Sequence, residues 1–258
     1  MSDLEPLLRF WRAQDALFGH VGPTWWGAVV FDPRFPAIHD VNYARVEAAE
    51  PVALDEIEAP LIPALKRNSC AQAHVVVFHP EEQTDLLASA STRGERLAWD
   101  LVMAHPASGS SGPDTGVEEI MAFDDDLWRV VREAVRLFGI SGEAALDQLV
   151  TLERDVMLPA GRRWFAIRDA EGAVVALATL TVLESIGFID LVVTLPRARR
   201  RGHATTLTRW AIAEAEAAGA IRTYLLAEPG AAPVHLYERL GFEPVTQIAS
   251  WITLLKDR

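Results

Sequence analysis

Residues 192–220 read VVTLPRARRRGHATTLTRWAIAEAEAAGA, an apolar strand, a cluster of arginines and an alanine-rich helix set end to end. The strand ends at Pro196, and Arg197, Arg199, Arg200 and Arg201 crowd the next five positions. Gly202, His203 and Ala204 then open a helix predicted to reach about residue 218, where Gly219 stops it. Ala204, Leu207, Thr208, Ala211, Ala215 and Ala218 recur at helical spacing and form its inward face. A helix N-terminus has free backbone N–H groups and a partial positive charge, and Gly with Ala lets a ligand approach the backbone closely. The spacing therefore predicts a phosphate cradle.

This local positive charge sits in an acidic chain. The 258 residues carry a formal net charge of −12, which argues against a general nucleic-acid binder. Half the residues are hydrophobic, enough for a packed core and for one large domain or two ordinary ones. Cys70 is the only cysteine, so neither an internal disulfide nor a CxxC metal clip is expected, and no metal is expected at the site. The opening MSDLEPLLRFWRAQ lacks the pattern of a signal peptide, and no apolar run approaches the ~18 residues of a membrane span. These features predict a cytoplasmic protein without nucleic-acid or membrane partners. They leave the oligomeric state open.

Working outward, HPASGSSGPDTG at 105–116 is rich in Gly, Ser and Pro and separates two patterned halves. It predicts a linker between a domain at 1–104 and a domain at 117–258. In the second half, DDDLWRVVREAVRLFG and SGEAALDQLVTLERDV predict two helices. Turn signals at 169–172 and 184–187 then divide an apolar segment into three strands. Beyond the alanine-rich helix come a strand (IRTYLLAE), a short helix (APVHLYERL) and a last strand region. In the first half, a helix is predicted over EPLLRFWRAQDALFG and another at 54–67. TWWGAVVFD and HDVNYARVE are predicted strands, and 73–105 reads strand, helix, strand, the order found at 221–255. That order hints at two copies of one fold.

The motifs resemble those of the GNAT superfamily of acetyl-CoA-dependent N-acetyltransferases. The family's Arg/Gln-x-x-Gly-x-Gly/Ala signature is matched by Arg199, Gly202 and Ala204 after Pro196. Its second signature is matched by Leu236-Tyr237-Glu238-Arg239-Leu240-Gly241-Phe242. The likeness covers roughly 117–255. It implies an α/β fold with a mixed α+β sheet whose central strands splay apart, and here two tandem GNAT-like domains, the first degenerate. Pantetheine would enter the splay and pair with the backbone of Leu191, Val192, Val193 and Thr194. The pyrophosphate would rest on the amides of Arg199, Arg200, Arg201, Gly202, His203, Ala204 and Thr205. A small-molecule or peptide amine would attack the thioester directly.

Tyr237 matches the tyrosine that in many members reprotonates the CoA thiolate. Asp190 is the only charged residue in GFIDLVVTLP, and a carboxylate in an apolar strand needs a partner or a task. The resemblance makes it a general base or amine anchor, with Glu184 or a water chain as alternatives. His203 and His235 are expected to be surface residues, Cys70 inert, and Trp25-Trp26 core or amine-pocket residues. Gly230 and Pro233 stand where many members have Asn and Ala, a departure in the loop before Tyr237. Two other readings stay open: an acyl-CoA sensor without turnover, and a transferase using aminoacyl-tRNA.

Overall fold

Helix α1 (Glu5–Asp15) leads into a hairpin of β1 (His20–Thr24) and β2 (Gly27–Phe31), then β3 (Tyr43–Val46), α2 (Leu54–Arg67), β4 (Gln72–Val77), α3 (Thr84–Thr92) and β5 (Ala98–Pro106). The second half contains β6 (Glu118–Glu119), α4 (Asp125–Arg136), α5 (Glu143–Leu152), β7 (Arg163–Arg168), β8 (Val174–Leu183) and β9 (Ile186–Thr194). It continues with α6 (His203–Ala217), β10 (Arg222–Ala227), α7 (Ala232–Arg239) and β11 (Glu243–Leu254). This computed structural model describes residues 4–107, 116–140 and 142–255. Most of the expected linker, and Ser141 at the start of the second predicted helix, lie outside the described residues.

The chain forms two compact units, one taking the chain up to Val102 and again from Thr246, the other running from Met103 to Val245. The sequence places the last strand region with the second domain, but the structure gives most of it to the first. In that first unit the strand order is β1-β2-β3-β4-β11. Strand β11 lies antiparallel to β4, from Ala249 opposite Val77 to Leu254 opposite Gln72. Ala249, Trp251 and Leu255 are buried with Trp26, Ile57, Leu61 and Val75, so the C-terminal strand completes this unit's core. Burying one such side chain stabilises by about 1.5–3 kcal/mol. The segment TWWGAVVFD is not one strand. Trp25 and Trp26 turn the hairpin, and β1 (HVGPT) carries no strand signal in sequence because Gly and Pro suit only an edge strand.

The second unit has strand order β5-β10-β9-β8-β7-β6, with β5 contributing from Met103 onward. His105 and Pro106, expected in the linker, close β5. Helix α4 opens on Asp124, whose carboxylate accepts a hydrogen bond from the Leu127 N–H at 2.8 Å. It buries Leu127, Val130, Val131 and Val135 against Trp164, Leu177 and Val193. Helix α6 packs through Leu207, Thr208, Ala211, Ile212 and Ala215. It approaches the sheet so closely at Gly187 that a Cβ there would lie 3.0 Å from the Ala215 Cβ.

The two halves repeat one element order: three strands, a helix, a strand, a helix and a strand. Each is a mixed α/β fold, with one parallel strand pair among antiparallel ones.

Candidate active site

The site is built where two parallel strands part. Strands β9 and β10 pair only at Ile186–Arg222, Gly187–Thr223 and Phe188–Tyr224. Both strands continue, β9 to Thr194 and β10 to Ala227, without further pairing to each other. This is the splay that the family resemblance implies. On its other edge β9 stays paired to β8, but with one residue too many: Leu177 faces Val193 and Thr179 faces Asp190. The extra residue makes a bulge, with Leu191 in the left-handed region at φ 49°. Such a conformation costs a β-carbon residue about 1–2 kcal/mol. Asp190 helps hold it, its Oδ1 accepting the Leu191 N–H at 2.8 Å.

Past the strand, Pro196, Arg197 and Ala198 form a single 3-10 turn. Arg199 braces this loop, its Nε donating to the Thr194 carbonyl at 3.2 Å. Arg197 reaches the Val174 carbonyl at 3.1 Å and lies 3.7 Å from Glu133, away from the helix start. Arg200 and Arg201 are exposed, and neither has a partner among the described residues. Gly202 precedes α6 at φ 87°, with no atom within 4 Å of where a Cβ would stand. No side chain caps the helix, so the first-turn N–H groups of His203, Ala204 and Thr205 have no intrahelical acceptor. Uncapped amides beside free arginines fit a pyrophosphate.

Tyr237 enters from α7. It is 8% exposed, stacks edge-on with Phe242 at 5.9 Å, and its hydroxyl bonds to no described residue. Burial, with the nearby charge of Asp190, pushes its pKa up to about 12 rather than the ordinary value near 10. The phenol is therefore a proton donor across neutral pH. Asp190 itself is exposed, so it can meet an incoming ammonium.

A third acid was not picked out in the sequence. Helix α5 runs into a π-helical turn over Glu153–Met157, and Glu153 is only 4% exposed. Its carboxylate accepts from Arg162 at 2.6 Å and from the Trp164 indole at 3.2 Å. Arg162 also reaches Thr181 of β8 at 3.1 Å. Burial pushes the Glu153 carboxyl up against the pull of Arg162 and Trp164, and Asp190 adds to the rise. The available signal was an acid at a helical position between apolar Leu152 and Val156. Asp190 is thus electrostatically linked to both Glu153 and Tyr237.

Other sequence candidates fall elsewhere. Glu184 and Ser185 form the β8–β9 turn, both at positive φ, six and five residues from Asp190, or about 17–20 Å along the strand. His235 is exposed beside Glu238 at 3.1 Å, and His203 is half-buried at the start of α6. Cys70 is buried in the first unit, where burial pushes its thiol up to about 11, an unreactive state. Trp26 and Tyr43 are core residues of that unit at 2% exposure, and only Trp25, at 57%, faces outward.

In the first unit the corresponding strands do not part. All of β3 pairs with β4, from Tyr43–His74 to Val46–Val77, and the Phe78 N–H continues onto the Val46 carbonyl. The loop after β3 is tied by Gln83, which accepts from the Val52 N–H and donates to the carbonyls of Ala48 and Glu50. Glu56 accepts the Ala53 N–H at the start of α2, placing an acid where a phosphate would need to sit.

A splayed parallel pair, a strand bulge and an open helix N-terminus thus lie together in the second unit. Residues 127–242 match the acetyltransferase (GNAT) family. In fold the chain resembles a GCN5-related N-acetyltransferase from Kribbella flavida, 18% identical over 97% of this chain and 95% of that one, with a TM-score of 0.59. It also resembles a functionally unknown conserved protein from Staphylococcus epidermidis ATCC 12228, 10% identical over 88% and 90% of the two chains, with a TM-score of 0.67. A tandem GNAT protein from the clavulanic acid biosynthesis pathway is 13% identical over 78% and 69%, with a TM-score of 0.54. No curated protein sequence matches the chain. No helix among the described residues is long and apolar enough to cross a membrane.

Proposed function

We propose that the protein transfers an acetyl group from acetyl-CoA to a primary amine, using one site in its C-terminal half. The observation that carries this reading is the parting of β9 and β10 after Phe188 and Tyr224, beside the uncapped start of α6. The gap is of the kind that admits an extended pantetheine arm to an open strand edge, where Leu191, Val192, Val193 and Thr194 supply backbone partners. The amides from Arg200 to Thr205 supply a seat for the pyrophosphate, with Arg200 and Arg201 adding charge. Acetyl-CoA, when bound, supplies the reactive thioester.

The residues of the chain then divide the proton work. Asp190 accepts a proton from the ammonium form of the substrate, directly or through water. A β9 backbone N–H polarises the thioester carbonyl. Tyr237 donates its phenolic proton to the departing thiolate sulfur, a role suited to a group that stays neutral at physiological pH. Asp190 is an exposed acid and the chain as a whole is acidic, so a cationic amine is favoured.

The test is release of free CoA from acetyl-CoA by the full chain against polyamines, aminoglycosides, amino acids and peptide N-termini. Acetylation of a cationic amine, verified by mass spectrometry, supports the reading. Tight acetyl-CoA binding without turnover of any amine would point to a sensor, and co-purified tRNA to an aminoacyl transferase.

A further inference from the structure

We propose that His39, Asp40 and His74 form a zinc-binding site in the N-terminal unit. The donor atoms of the three side chains all lie within 4.8 Å of one another. His39 and Asp40 stand on a 3-10 turn, His39–Val41, and His74 on β4, so the site joins a loop to the sheet. The two imidazoles meet edge-on with centroids 5.0 Å apart, and the His39 Nε2 lies 3.2 Å from the Asp40 carboxylate.

His74 supplies the observation that points to a ligand. Its Nδ1 is buried and has no hydrogen-bond partner. A buried polar nitrogen left unmatched is unfavourable, and a metal ion is one group that would satisfy it.

The loop is prepared for this task. Asn42 is buried, donates to the carbonyls of Phe35 at 2.8 Å and Ile38 at 2.7 Å, and accepts the Asp32 N–H at 3.1 Å. These bonds fix the backbone just before and after His39. Two imidazoles and a carboxylate suit zinc rather than magnesium or calcium, which prefer oxygen alone. Zinc bonds of roughly 2.0–2.1 Å in a tetrahedron need donors about 3.4 Å apart, so the set must close by up to about 1.4 Å. His39 and Asp40, with side chains 30% and 62% exposed, are free to make that movement. Three protein donors leave a fourth position for water.

The experiment uses the untagged full chain, stripped with EDTA and titrated with zinc sulfate by calorimetry, with thermal melts run in parallel. One zinc per chain is expected, with a zinc-dependent rise in melting temperature and no response to magnesium chloride. Cobalt chloride should give visible bands of a tetrahedral nitrogen–oxygen set. His39→Ala, at a half-exposed position, should keep the metal-free melting temperature and weaken zinc binding at least tenfold; Asp40→Asn should weaken it less. Absence of a zinc response, or a response undiminished in His39→Ala, would overturn the site.

Discussion

Burial and the charge of Asp190 together oppose ionisation of Tyr237, holding the phenol neutral up to a pKa of about 12. The two candidate proton carriers are therefore coupled, and each variant should report on the other. Tyr237→Phe keeps the ring and its contact with Phe242, so acetyl-CoA binding should survive. Turnover should fall by about 10²-fold or more. A phenol must keep its proton to donate it, so activity that depends on Tyr237 falls as pH rises through its pKa. Asp190→Asn removes a charge that raises that pKa, so the alkaline loss should move to lower pH, as read in pH–rate profiles. Profiles unchanged in both variants would leave solvent as the carrier.

At Gly202 two substitutions separate backbone strain from phosphate binding. At φ 87° any L side chain is strained, yet there is open space around the position. Gly202→Ala should therefore lower the melting temperature modestly and keep most of the shift caused by acetyl-CoA. Gly202→Asp adds a negative charge at the helix start and should abolish that shift. In the unmodified chain ligand at a hundredfold excess over Kd stabilises by about 2.7 kcal/mol. A full shift in Gly202→Asp would remove the phosphate seat from this loop.

Calorimetric titration of the full chain with acetyl-CoA should give a stoichiometry near one. The N-terminal unit keeps β3 and β4 paired throughout and fills the following loop with Gln83 and Glu56. A value near two would mean that an unparted strand pair can still accept the cofactor. Fragments that stop before Thr246 are poor tests, because that unit's core includes β11.

Trp251→Ala should destabilise the N-terminal unit by about 3–5 kcal/mol, as large core truncations do. Trp251 is 2% exposed and pairs opposite Val75. Hydrogen exchange should rise first in β3 and β4. Unchanged protection there would show that the C-terminal strand is dispensable to that unit.

Much of the second half was legible because its signals are local. The four arginines beside Gly202 and Ala204 mark a strand-to-helix turn, and Leu236 to Phe242 marks the helix that carries Tyr237. Helix α2 was legible too, its bounds matching despite prolines at 60 and 63. Strand β1 was not, since Gly22 and Pro23 are poor strand formers tolerated only at a sheet edge. The two-residue β6 is too short for any periodicity. Glu153 read as one more helical acid, because nothing in its neighbours in sequence announces Arg162 and Trp164 closing over it.

By itself the sequence determined the chemistry available to this protein: an anion-seeking loop, a tyrosine at the end of a short helix and one acid in an apolar strand. Local propensity and spacing carry that information within a few residues. Only the tertiary structure decided where the strands part, that the bulge at Leu191 lies beside Asp190, and which unit owns the last strand. It also raised the Tyr237 pKa and brought His74 against His39. Those outcomes depend on register, burial and charge between segments far apart in the chain, and a side chain's desolvation is set by everything that folds around it.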